Sequence, residues 1–212
     1  MAPLALVTGG SRGIGAAVCA GLRAAGWDVF LPSRRMCDWS EVLDVGSLAD
    51  SMRFDLDAIV FCHGTWFSDD AQSVSDWERQ YRERVTLPGE FLRQVLPDLA
   101  DNGSVTFVSS TQAFGGRINT GPYAAACAAQ VRLVLGIAQS TDRIRANVVC
   151  PGLTDTAMAA AVRATGDCRP DAVAQPPEAV AAAVLRLVTG DENGKVLRVV
   201  DGLTTEAKWV WE

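Results

Sequence analysis

Leu4-Ala5-Leu6-Val7-Thr8-Gly9-Gly10-Ser11-Arg12-Gly13-Ile14-Gly15 is the stretch whose reading decides the fold. Leu4–Thr8 reads as a buried strand, and the Ala-rich stretch Gly13–Ala25 as a helix that Gly26 stops. The turn between them carries glycines where a backbone must bend sharply, approach a pyrophosphate and let helix pack on strand. The helix N-terminus then offers N–H groups and the positive end of its dipole to a phosphate. A glycine-rich turn alone is common. Its weight here comes from the strand before it and the helix after it.

Outward from that turn, short apolar runs alternate with helix-like stretches. Strands are expected at Val29–Leu31, Glu41–Asp44, Asp57–Cys62, Ser104–Val108, Ile144–Val149 and Val196–Val200. Ser75-x-x-Glu78 has the form of a capping box and predicts a long helix to about Ala100, kinked at Pro88-Gly89. Pro122–Ser140 reads as a helix, and Pro176-Pro177-Glu178 starts another that ends before Gly190. Strands that alternate with helices and are apolar on both faces imply a sheet covered on both sides. The expected class is therefore α/β: a Rossmann-type, doubly wound, mainly parallel sheet of about seven strands. The connections around the third strand, Glu41–Asp44, are short for full crossovers, so trimmed helices are expected there. With no linker or composition shift, residues 1–212 read as a single dinucleotide-binding domain that also holds the substrate pocket.

Composition narrows the function. The 212 residues are 49% hydrophobic and 21% charged, which fits a well-filled core rather than a disordered chain. A net charge of −6 argues against nucleic acid as partner. No apolar run of membrane-spanning length is evident, and Met1-Ala2-Pro3 lacks the basic start of a secretory signal, so a cytoplasmic protein is expected. Six cysteines without a C-x-x-C pair, and a single histidine, suit reduced core thiols and no metal site. Only two lysines occur, Lys195 and Lys208.

The T-G-x-x-x-G-x-G turn resembles that of the short-chain dehydrogenase/reductase family, and the resemblance runs over essentially the whole chain. It implies that Thr8, Gly9, Ser11, Arg12, Gly13, Ile14 and Gly15 cradle a nicotinamide dinucleotide. Asp44-Val45 is similar to the family's acidic pair that contacts adenine. Asn147-Val148-Val149-Cys150-Pro151-Gly152-Leu153-Thr154-Asp155-Thr156 is similar to the N-x-x-x-P-G-x-x-x-T segment near the nicotinamide, which puts Pro151, Gly152 and Thr156 at the cofactor. Val200-Asp201-Gly202 resembles the usual ending of the last strand. The turn Phe61-Cys62-His63-Gly64 departs from the family's N-N-A-G, yet its place implies that His63 and Gly64 border the cofactor.

Charge points to the cofactor type. An NAD-preferring site places a carboxylate at the end of the second strand, against the ribose hydroxyls. Ser33 stands there instead, followed by Arg34 and Arg35, with Arg12 in the glycine turn. These guanidiniums suit a 2′-phosphate, so NADP(H) is the expected cofactor.

Ser110 and Tyr123 look like the family's catalytic pair, the serine holding the substrate oxygen and the tyrosine transferring its proton. Two partners are replaced. The lysine expected four residues after the tyrosine is Cys127, and the asparagine expected in the long helix is Thr86. In the family that lysine lowers the tyrosine pKa and contacts the nicotinamide ribose; a neutral thiol is a weak donor and does neither well. At pH 7 an unassisted phenol is about one part in a thousand ionised. Forgoing a pKa lowered by about three handicaps it as a base by roughly 4 kcal/mol. As an acid it is already protonated, so reduction of a carbonyl is expected to survive better than oxidation of an alcohol. Arg117, between the serine and the tyrosine, is a candidate substitute cation.

Other features are less specific. Cys127, among alanines in a helix, reads as a packed thiol rather than a nucleophile. His63, the only histidine, is either structural or ribose-contacting, or else a proton carrier. Trp66, Phe67, Phe114 and Met158–Val162 are candidates for an apolar pocket. Trp209 and Trp211 suggest an oligomer contact, in a homodimer or homotetramer. The leading expectation is an NADP(H)-dependent reductase of a small carbonyl-containing substrate. The alternatives are a non-redox dehydratase, isomerase or cyclase using Tyr123 and Ser110, and a catalytically silent NADPH-binding protein.

Overall fold

The structure, a computed structural model, describes residues 1–32, 56–64, 73–115, 121–166, 168 and 171–208. In chain order its elements begin with β1 (Leu4–Thr8), α1 (Gly13–Ala24), β2 (Asp28–Phe30), β3 (Leu56–Phe61) and α2 (Val74–Tyr81). A π-helical turn, Arg82–Thr86, leads to α3 (Leu87–Val95), a 3-10 turn (Leu96–Asp98), β4 (Leu99–Val108) and a second 3-10 turn (Thr111–Phe114). The chain continues through α4 (Gly121–Ser140), β5 (Arg145–Pro151), α5 (Ala157–Ala164), α6 (Pro177–Thr189), β6 (Val196–Val200) and β7 (Leu203–Glu206).

The seven strands form one sheet in the order β2-β1-β3-β4-β5-β6-β7, parallel except for the β6–β7 pair. Alternation along the strands sorts the core into two layers. Leu6, Ile59, Phe61, Val105, Phe107, Ala146 and Val148 pack with Phe91 and Leu92 of α3 and Val131 and Val134 of α4. Ala5, Val7, Ala58, Val60, Val149 and Val199 pack with Val18 and Leu22 of α1 and Val184 and Leu187 of α6. Period-two side chains and helices on both faces are the doubly wound architecture that the sequence predicts.

Several details differ from expectation. The predicted strand Glu41–Asp44 and its trimmed crossovers lie outside the described residues. The seventh strand of the sheet is instead β7, joined to β6 by the two-residue turn Asp201-Gly202. Both turn residues have positive φ, 52° and 76°, as a tight hairpin turn demands. The expected long helix is N-capped by Ser73, which accepts from the Asp76 N–H, and not by Ser75. It also breaks earlier than expected. Pro88 has no N–H to give, and the Leu87 N–H bonds back to the Arg82 carbonyl, which produces the π turn just before the proline. Pro97 ends α3 by the same deficit, so β4 starts at Leu99. Contrary to expectation, α4 is long and apolar enough to cross a membrane by length and composition. Its stripe Tyr123, Cys127, Gln130, Val131 and Val134 is buried, and both valines pack in the core layer over the sheet.

Candidate active site

β1 lies between β2 and β3, so the chain leaves β1 to one side and returns on the other. That crossing makes a crevice at the carboxyl ends of β1 and β3, the place where doubly wound sheets bind ligands. The glycine turn occupies it. Gly9 has φ +67°, and a Cβ there would lie 2.7 Å from the His63 backbone nitrogen. Gly13 has φ +53°, and a Cβ there would meet the Thr156 methyl at 3.0 Å. At Gly15 a Cβ would strike the Gly9 carbonyl. These three glycines thus bring β1, the end of β3 and the start of α5 as close as backbone allows.

The N-terminus of α1 has no side-chain cap and no acidic residue in its first turn. Arg12, its N-cap residue, is exposed. Thr156, which faces Gly13, caps α5 by accepting from the Ala159 N–H at 3.3 Å. Pro151 ends β5, and the Gly152 N–H bonds the Val199 carbonyl. The structure therefore gathers Thr8, Gly9, Gly13, Gly15, His63 and Thr156 around one crevice, with Ser11, Arg12 and Ile14 in the same turn. A cradle that any Cβ would fill, leading to an uncapped helix N-terminus, fits the pyrophosphate of a dinucleotide. Ser33, Arg34, Arg35, Asp44, Val45, Trp66, Phe67, Arg117, Trp209 and Trp211 lie outside the described residues. Among the described residues no group of three or more metal-ligating side chains occurs.

His63 is held at both ring nitrogens. Nδ1 lies 2.8 Å from the Thr8 hydroxyl and Nε2 lies 3.0 Å from the Glu83 carbonyl. A carbonyl only accepts, so Nε2 carries the proton and Nδ1 accepts from Thr8. Burial is the main reason that its pKa falls to about 4; the Glu83 carbonyl opposes this and the Arg84 charge adds to it. A ring so placed is neutral and committed to bracing, which favours the structural reading of the only histidine.

Ser110 follows β4 and caps the 3-10 turn by accepting from the Gln112 N–H at 3.2 Å. Tyr123 sits in the first turn of α4, and the side chains of Ser110 and Cys127 are close enough to its hydroxyl to shift its pKa. Burial, first, pushes the Tyr123 phenol up to about 12. The Cys127 sulfur adds to the rise, while Arg84 and the Ser110 hydroxyl oppose it. Cys127 is itself fully buried, its carbonyl accepting from the Ser109 hydroxyl at 3.0 Å.

Sequence reasoning passed over Arg84, Gln80 and Gln175. Thr86, expected from the resemblance to stand at the family's asparagine, is exposed; the buried member of that turn is Arg84. Its guanidinium carbon stands 4.4 Å from the centre of the Tyr123 ring, and its Nε donates to Gln80 at 3.1 Å. The Gln175 side chain donates to the Val199 carbonyl and the Thr154 hydroxyl and accepts from the Gly202 N–H, tying the Gly152–Thr156 segment to β6. Asn147, at the head of the segment that resembles the nicotinamide loop, uses its amide to hold the backbone of Glu192 and Lys195.

A doubly wound sheet with a glycine cradle at its switch point is the architecture of dinucleotide-binding α/β proteins. Comparison with known proteins agrees. The sequence profile of the short chain dehydrogenase family matches residues 36–167, and the chain belongs to that family. Acetoacetyl-CoA reductase of Allochromatium vinosum is 26% identical, over 92% of this chain and 94% of its own. The 2,3-dihydro-2,3-dihydroxybenzoate dehydrogenase of Escherichia coli is 30% identical, over 72% of this chain and 69% of its own. Among solved structures, a small-chain dehydrogenase in complex with NADPH superposes with a TM-score of 0.83 at 22% identity, covering 95% of this chain and 98% of that one.

Proposed function

We propose that the protein is an NADP(H)-dependent reductase that converts the carbonyl group of a small organic substrate to an alcohol. The observation that carries the reading is the placement of Ser110, just past β4, near the buried Tyr123 at the start of α4, at the carboxyl end of the sheet that also carries the glycine cradle. Its two named relatives, a reductase and a dehydrogenase, support a redox activity. The NADPH-bound structural neighbour, Arg12, and the Ser33-Arg34-Arg35 sequence support NADP(H) over NAD(H).

Bound in the cradle, the reduced cofactor supplies the hydride. Ser110 orients the carbonyl by donating to its oxygen. Tyr123 delivers the phenolic proton to that oxygen as it gains the electron pair of the broken π bond, and is left as a phenolate that solvent reprotonates. A phenol held near 12 is fully protonated at neutral pH, so it starts as the acid that reduction needs and lacks the ionised form that oxidation needs.

The test is a fluorescence titration with NADPH and NADH, followed by NADPH consumption across a panel of small ketones, aldehydes and β-ketothioesters. Tighter binding of NADPH and turnover with a panel member are expected. Binding of neither nucleotide overturns the reading.

A further inference from the structure

The π turn has a consequence at the catalytic tyrosine. It places a buried cation, Arg84, against the ring of Tyr123. The guanidinium lies between that ring and the backbone at Gly64, where a Cβ would come within 2.8 Å of the nearer terminal nitrogen and 3.0 Å of the guanidinium carbon. Gln80, itself fully buried on α2, fixes its Nε. Glycine at 64 is thus what leaves room for the guanidinium.

We propose that Arg84 is a positioning residue for proton transfer, its guanidinium over the Tyr123 ring standing in for the cation that the family carries at position 127. The inference rests on the reading of Tyr123 as the proton donor. When the phenolic proton leaves, the negative charge spreads over the ring, and a fixed cation at its face steadies that phenolate. No bond to the phenolic oxygen is required, which separates this arrangement from a lysine on the same helix. The same charge adds to the fall of the His63 pKa, so His63 stays neutral beside it. Among the described residues, the titratable groups facing Tyr123 are Cys127 on its own helix and Arg84 on the π turn, with His63 and Cys150 next to those.

The chain has two tyrosines, Tyr81 and Tyr123. Replacing both biosynthetically with a fluorinated tyrosine, whose phenol is more acidic, brings the Tyr123 titration into a range where the folded protein can be followed by fluorine NMR. Tyr81→Phe assigns the two signals. Arg84→Met is expected to raise the Tyr123 titration midpoint by about one pH unit or more, the usual effect of a charge within about 4–6 Å, and Arg84→Lys to restore most of it. Should Arg84→Met not fold, Gly64→Ala, whose methyl displaces the guanidinium, is expected to raise it in the same direction. A midpoint unchanged in Arg84→Met, or unchanged in Gly64→Ala where the former cannot be measured, overturns the proposal. This readout needs no turnover, so it fails or succeeds separately from the proposed reaction.

Discussion

The Nε2 atom of His63 lies 3.0 Å from the carbonyl oxygen of Glu83. That carbonyl has lost its helical donors: the Leu87 N–H turns back to Arg82, and Pro88 has no N–H. His63 fills the place while its other nitrogen holds Thr8, so one imidazole fastens β1, β3 and the π turn together. His63→Phe leaves the Glu83 carbonyl without its donor and the Thr8 hydroxyl with only the longer bond to the Val60 carbonyl, and is expected to cost about 1–3 kcal/mol in urea unfolding.

The same residue sets a pH dependence. Its pKa falls from 6.5 to about 4 on folding, so the neutral form is the one the fold favours. Its contribution is fully present above pH 6.5 and is lost as pH falls toward 4. The loss is on the order of 2–3 kcal/mol, trimmed by the ring's partial exposure. Urea midpoints compared between neutral pH and acid are expected to fall more for the native chain than for His63→Phe. Equal falls would contradict the brace.

Cys127 stands where the resemblance to the family leads one to expect a lysine. Cys127→Lys is expected to lower the Tyr123 pKa and to raise alcohol oxidation about tenfold for every pH unit of that lowering, with a smaller gain in carbonyl reduction. In the native chain, oxidation is expected to keep climbing with pH past 10, because the phenol ionises only near 12. Steady-state rates in both directions across pH check this.

Two glycines give opposite outcomes. Gly9→Ala places a methyl 2.7 Å from the His63 nitrogen at φ +67° and is expected to cost about 2 kcal/mol or more and to abolish nucleotide binding. Gly89 lies inside α3 with nothing within 4 Å of a Cβ. Gly89→Ala is expected to stabilise by about 0.5–1 kcal/mol. Thermal melts of the pair decide.

Gln175→Leu removes three side-chain hydrogen bonds that anchor Gly152–Thr156 and the β6–β7 turn. A loss of about 2–4 kcal/mol is expected. NADPH affinity should weaken with it, since Thr156 faces Gly13 across the cradle. Denaturation and fluorescence titration of one preparation measure both.

What the sequence disclosed follows from how each signal is encoded. The β1 turn was legible because strand, glycines and helix are contiguous, and Ser110 and Tyr123 because each sits just past a strand or at a helix start. Asp201-Gly202 carried a hairpin signal, but the resemblance to a strand ending masked it, and β7 was missed. Arg84 was out of reach. In a regular helix the residue toward the sheet follows from periodicity; the π turn adds a residue to the register and turns Arg84 inward and Thr86 outward. The brace of His63 was hidden for the same reason, since its partner is a backbone carbonyl freed by that turn.

In the proposed reaction Tyr123 hands its proton to a substrate oxygen in step with hydride transfer from NADPH. Single-turnover reduction of an active panel carbonyl by NADPH deuterated at the transferable position tests it most directly, in the native chain and in Tyr123→Phe. Deuterium on the product carbinol carbon in the native chain, with transfer lost by orders of magnitude in Tyr123→Phe while NADPH still binds, is the result predicted. Equal transfer in both proteins would contradict it.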